Sequence, residues 1–132
     1  MNARGRKVPH TTMEWEVYPE SIYHMIKKFS SYEGVGKVIV TENGAAFPDV
    51  VNDGEVNDVL RVDYLKQYIG QVKRAKEEGM NVGGYFVWTL MDNFEWAEGF
   101  HQRFGLVYTD YATKKRIIKK SGRWYSNFLT GK

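Results

Sequence analysis

The sequence has 132 residues, 42% of them hydrophobic and 15% aromatic, the usual size for one domain able to bury a sizeable core. It has no cysteine, which excludes a disulfide framework and thiol chemistry, and no apolar run of about 18 residues, which excludes a membrane-spanning helix. The net charge of +3 hides an uneven distribution: of 19 basic residues, nine lie in two clusters (Arg4, Arg6, Lys7, and Lys114, Lys115, Arg116, Lys119, Lys120, Arg123), leaving 10 against 16 acidic residues elsewhere. A nucleic-acid-binding face would interleave basic residues with aromatics. The clusters are therefore read as a solvated tail and a solvated helix surface, with no nucleic-acid or membrane partner. No signal-peptide pattern follows Met1, and a cytoplasmic location is expected.

In chain order, residues 1–12 lack an apolar period and read as a flexible lead-in, with residues 13–132 forming one unit. Met13 to Tyr18 is aromatic-rich and extended. Pro19 and Glu20 suit the first turn of a helix, whose inner face carries Ile22, Tyr23, Met25, Ile26 and Phe29. Val38-Ile39-Val40 reads as a strand buried on both faces, ending at Thr41-Glu42-Asn43-Gly44. Residues 45–57 form a long polar loop. Asp58 is a candidate N-cap for a helix that buries Val59, Val62, Leu65, Ile69 and Val72 and ends at Gly79. Val82 to Leu90 is a second buried strand, so the chain contains a βαβ unit with two parallel strands and a right-handed crossover. Residues 97–112 form an irregular return, and a last helix is expected from about Thr113 to Leu129, with Ile117, Ile118, Trp124, Tyr125 and Phe128 in the core.

Parallel strands end on the same side of the sheet. Glu42 and Asn43 should therefore meet the cluster that follows the second strand, Asp92-Asn93-Phe94-Glu95-Trp96. Carboxylates, an amide and indole faces suit a carbohydrate, because aromatic rings stack on sugar C–H faces while Glu and Asn bind vicinal hydroxyls. Glycoside cleavage uses two carboxyl groups across the scissile bond, and Glu42 as nucleophile with Glu95 as partner is one possibility. His10, His24 and His101 are scattered, without ligand spacing, and no metal or cofactor is expected. No phosphate-binding loop or nucleophile elbow is present.

Four motifs carry a resemblance. Ile39-Val-Thr-Glu-Asn-Gly44 resembles the nucleophile motif of family 1 glycoside hydrolases, the β-glucosidase and β-galactosidase group. Tyr85 to Trp96 resembles that family's last barrel strand and sugar-binding loop; Arg103 to Tyr108 and Tyr18-Pro19-Glu20 also match, in order. The resemblance implies that Glu42 is the nucleophile of a retaining mechanism, and it reassigns Glu95 as a ligand for the outer glycone hydroxyls. Trp96 would donate to the same sugar, Trp88 would form the stacking floor, and Phe104 would line the glycone pocket. Trp15 would line the aglycone entrance, although Glu14 stands where the family commonly has glycine.

The fold implied is the C-terminal portion of a TIM (β/α)8 barrel, its last two β/α units, incomplete as a single chain. The family's Asn-Glu-Pro acid/base segment is absent from the sequence. The chain alone is thus expected to be inactive on a β-glycoside, and to need a complementary N-terminal barrel fragment. A non-catalytic carbohydrate-binding fragment and a self-associating barrel fragment are the alternatives.

Overall fold

The computed structural model describes residues 7–132. Its frame is a βαβ unit: β1 (Val38–Asn43), the long helix α2 (Val59–Glu77), and β4 (Val82–Val87), with β1 and β4 paired in parallel. α1 (Glu20–Ser30) precedes β1 and packs against α2, and α3 (Lys120–Thr130) closes the other flank of α2. Two small antiparallel hairpins, β2–β3 (Val51–Asn52, Glu55–Val56) and β5–β6 (Val107–Thr109, Arg116–Ile118), sit on the loops.

The helices form where apolar spacing matches their period. α1 starts after Pro19, whose φ of −60° is already helical, and it turns Tyr23 and Ile26 inward. The Tyr23 hydroxyl donates to Glu78 at 2.5 Å, and the Arg74 guanidinium lies 4.0 Å from the Tyr23 ring centre. α2 buries Val62, Leu65, Tyr68, Ile69, Val72 and Ala75 along one stripe. It ends as anticipated at Gly79, whose φ of +91° lies in the region that favours glycine. Ala45, Phe47, Tyr64, Leu65, Tyr68, Ile69 and Leu106 form one core cluster, and Tyr23, Ile26, Val72 and Ala75 the other.

Several expectations are corrected. The β1–β4 pair is covered on one face only: Ile39 is 48% and Phe86 60% exposed, because no described residue packs over them. Met25 and Phe29 are likewise exposed, so α1 buries only part of its apolar face. The helix expected from Thr113 begins at Lys120; residues 116–118 form β6 instead, where the β-branched Ile117 and Ile118 pair with Tyr108 and Val107. Ile118 is exposed there and not a core contact. The polar loop after β1 contains the β2–β3 hairpin, turned at Asp53-Gly54 with φ of 49° and 79°, the geometry that Asp-Gly favours. Asp58 makes no side-chain cap and is buried in an ion-pair network. Arg4 and Arg6 of the first basic cluster lie outside the described residues. Just before Met13 the chain is tied down: His10 bridges Glu16, Val17 N–H donates to the Pro9 carbonyl at 2.8 Å, and Thr12 N–H to that of Ala46 at 3.1 Å.

Among the described residues no helix is long and apolar enough to cross a membrane, and no group of three or more potential ligands is placed to hold a metal ion.

Candidate active site

β1 and β4 pair in parallel to their C-terminal ends, with register shifts after Val38 and between Val40 and Asn43, so that Asn43 faces Val87. Their exits converge closely: Trp88 N–H donates to the Asn43 carbonyl at 3.0 Å, and a Cβ on Gly44 would lie 1.6 Å from the Trp88 carbonyl oxygen. Glycine at 44 is therefore what lets the two strand ends meet, beyond its role in a turn. At this end a cleft of about 610 Å³ opens. Its walls include all seven residues anticipated from the sequence: Trp15, Glu42, Asn43, Trp88, Glu95, Trp96 and Phe104.

Glu42 projects from the end of β1 and is exposed; its carboxylate makes no hydrogen bond or ion pair with any described residue. Asn43 is different. Its amide donates to the Tyr64 hydroxyl at 3.2 Å and accepts from the Tyr85 hydroxyl at 2.7 Å, which holds the strand end in place. Burial pushes both phenols above their ordinary range, Tyr64 further through the adjacent Tyr68, so both remain neutral hydrogen-bonding groups. Tyr64 stacks on Tyr68 with ring centres 4.0 Å apart, and the Tyr68 hydroxyl accepts from Tyr18 N–H at 3.1 Å. Tyr64 and Tyr68 line the cleft, and sequence reading passed over that role. The available signal was a pair of tyrosines four residues apart on α2, one turn of the same face.

Glu95 and Trp96 stand on the loop leaving β4. Glu95 N–H donates to the Gly99 carbonyl at 2.6 Å, closing a tight turn over the short 3-10 segment Trp96–Glu98. Trp96 has φ of 41° and is 82% exposed. A non-glycine residue there costs about 1–2 kcal/mol, a strain found preferentially at functional loops. The Glu95 carboxylate has no partner among the described residues. Trp88 is half-buried, as a floor residue would be. Phe104 is buried and tilts against Trp15, with ring centres 5.9 Å apart, joining the two walls furthest apart in sequence. Glu14, beside Trp15, has φ of 59°, so the position where the family commonly has glycine keeps a left-handed backbone here.

Behind the cleft lies a network that sequence reading did not foresee. Arg61 forks onto Asp49 with two 3.0 Å contacts, also donates to Asp58, and donates to the Arg103 carbonyl at 2.6 Å. Lys119 Nζ donates to Asp49 at 2.6 Å and Asp92 at 2.7 Å, and its side chain is fully buried. Assigning Lys119 to a solvated helix surface is thus corrected: it precedes α3 and points inward. Burial, together with the neighbouring Arg61 charge, pulls its ammonium below the ordinary value even though Asp49 and Asp92 oppose that shift. Asp92 also accepts from Arg103 at 2.7 Å, Gly105 N–H at 2.9 Å and Thr109 N–H at 3.3 Å.

The rim thus sets the carboxylates of Glu42 and Glu95, unpaired among the described residues, beside aromatic rings and over a buried ionic support. The family model for glycosyl hydrolase family 1 matches residues 1–132, and the chain belongs to that family. It is 57% identical over 125 residues to beta-glucosidase A of Thermotoga maritima, covering 94% of this chain and 28% of that protein. It is 41% identical over 126 residues to a 6-phospho-beta-galactosidase of Streptococcus equi subsp. zooepidemicus, covering 95% of this chain and 27% of that protein. The solved structure of the Thermotoga maritima family 1 β-glucosidase with isofagomine lactam superposes with a TM-score of 0.93 at 55% identity, over 95% of this chain and 29% of that one. Such neighbours are TIM-barrel enzymes, and this chain corresponds to a fragment of them, spanning about 28% of the length of those relatives.

Proposed function

We propose that this chain is the nucleophile-bearing and glycone-binding part of a retaining β-glycosidase, made of the last two β/α units of the barrel in residues 13–132. The observation that carries the reading is the convergence of Glu42, Trp88, Glu95, Trp96, Phe104 and Trp15 on one cleft at the carboxyl ends of two parallel strands. Glu42 attacks the anomeric carbon as the glycosidic C–O bond breaks and the aglycone leaves with a proton from the general acid. Water, deprotonated by the same group, then displaces Glu42 from the glycosyl-enzyme intermediate with net retention. Glu95 accepts hydrogen bonds from the outer glycone hydroxyls, the Trp96 indole N–H donates to the same sugar, and Trp88 supports the ring. Phe104 closes the glycone wall, and Trp15 borders the entrance. The contribution of Asn43 is positional, since its amide is engaged by Tyr64 and Tyr85.

The general acid/base comes from the remaining part of the barrel, which also covers Ile39, Phe86 and the free edges of β1 and β4. The substrate class is the β-glucosides and related β-glycosides. The test is hydrolysis of an aryl β-glucoside by this chain with and without the N-terminal part of a family 1 barrel. Activity is expected only in the mixture, and falling by several orders of magnitude with Glu42→Ala. Hydrolysis by the isolated chain, or full activity of the Glu42→Ala mixture, contradicts the reading. Sugar binding by the isolated chain without activity in the mixture would favour a non-catalytic binding fragment.

A further inference from the structure

The groups that would grip the sugar stand at two strand exits: Glu42 near the end of β1, and Glu95 and Trp96 on the loop that leaves β4. The loop after β1 begins at Gly44 and carries Asp49. The loop after β4 runs from Trp88 through Asp92 to Glu95 and Trp96, with only a three-residue helical turn at its tip. A third segment brings Phe104 to the cleft. Backbone bonds tie the second loop to the third segment, from Leu106 N–H to the Thr89 carbonyl, Val107 N–H to the Leu90 carbonyl and Asp92 N–H to the Val107 carbonyl, each at 2.9 Å. The first and second loops, in contrast, are joined by one ammonium group. Lys119 Nζ contacts Asp49 Oδ2 at 2.6 Å on the first loop and Asp92 Oδ1 at 2.7 Å on the second. The same Asp92 carboxylate receives Gly105 N–H at 2.9 Å, next to Phe104, and a Cβ on Gly105 would lie 2.2 Å from Asp92 N. Lys119 is itself anchored, its N–H donating to the Leu106 carbonyl at 3.0 Å.

Resting on the reading of Glu95 and Trp96 as glycone ligands, we propose that Lys119 is a positioning residue for sugar discrimination: its two ion pairs fix the Glu95 loop against the loop after β1 and so set how strictly the outer hydroxyls are read. Asp92 lies three residues before Glu95, so a shift at its carboxylate reaches the sugar ligand through only Asn93 and Phe94, the Asn93 carbonyl accepting from the Tyr111 hydroxyl at 3.2 Å. Lys119 touches no substrate and does not line the cleft. Its effect is exerted through Asp92, on selectivity ahead of chemistry. An isolated surface lysine could not do this, because an exposed pair is too weakly held to fix a loop. A buried ammonium with two carboxylate partners is held on both sides.

The experiment compares an aryl β-glucoside with the corresponding aryl β-xyloside, which lacks the C6 hydroxymethyl group, on the completed barrel. The readout is the ratio of their kcat/KM values. Lys119→Met is expected to lower the glucoside-to-xyloside ratio by about tenfold or more, the scale on which small misplacements of a binding group act. Glu95→Ala lowers the same ratio, and the double variant lowers it no further than Glu95→Ala alone. An equal fall for both substrates, with the ratio unchanged in Lys119→Met, makes the lysine purely structural and overturns the proposal. If Glu95→Ala itself leaves the ratio intact, the reading of Glu95 has failed and the proposal falls with it. Should Lys119→Met fail to fold, Asp49→Asn, which weakens one arm of the lysine's pairing, decides by the same criterion.

Discussion

The rim of the cleft and the layer behind it use charge in opposite ways. At the rim the carboxylates of Glu42 and Glu95 have no partner among the described residues, and Trp96 stands 82% exposed. A few residues away, on the loops after β1 and β4, Asp49 and Asp92 are buried and paired with Arg61, Lys119 and Arg103. With Asp58, that network contains three acids and three bases. A group meant for a ligand keeps its hydrogen-bonding capacity free, whereas a buried charge without partners is too costly to keep. The cleft thus separates recognition from support at a distance of a few residues.

Two substitutions sharpen that contrast. The larger effect is expected behind the rim: Arg61→Met leaves Asp49 and Asp58 buried without their shared guanidinium and should destabilise the completed barrel by about 3–5 kcal/mol, read as a lower urea midpoint. A change below about 1 kcal/mol would mean that the network is not a support. At the rim, Glu42→Gln should cost the completed barrel far less, about 0.5 kcal/mol or below, because the Glu42 carboxylate has no partner among the described residues to lose. A large loss there would show Glu42 to be structural and erase the contrast.

The two regions also differ in how legible they were. Part of the cleft could be read from strands that advertise themselves: Val38-Ile39-Val40 runs straight into the polar Thr41-Glu42-Asn43, and Tyr85-Phe86-Val87 into a polar, aromatic stretch, whereas Phe104 and Trp15 came only from the family resemblance. Parallel pairing then dictates that both stretches share one end. The ion network could not be read, because it joins residues as far apart as Asp49 and Lys119, and no local pattern distinguishes a buried lysine from its exposed neighbours Lys115 and Lys120. Asp58 shows the same limit: its position before α2 suggested a cap, yet its carboxylate accepts from Ser121 N–H at 2.9 Å. The misplaced start of the last helix has a local cause. Residues 113–118 carry polar and β-branched side chains compatible with either state, and pairing with Val107–Thr109 decides for strand. The exposure of Ile39 and Phe86 contradicts the apolar run read alone, which reports what a strand needs to bury and not whether this chain supplies the cover. It agrees, however, with the incomplete barrel that the family resemblance implied, whose inward face is open.

The most direct test of the central claim is to trap the covalent intermediate. The completed barrel is treated with an aryl 2-deoxy-2-fluoro-β-glucoside, whose glycosyl-enzyme turns over slowly, and the modified peptide is mapped by mass spectrometry. A glycosyl adduct on Glu42, absent in Glu42→Gln, is the result predicted; an adduct on Glu95, or on a residue outside this chain, would contradict it.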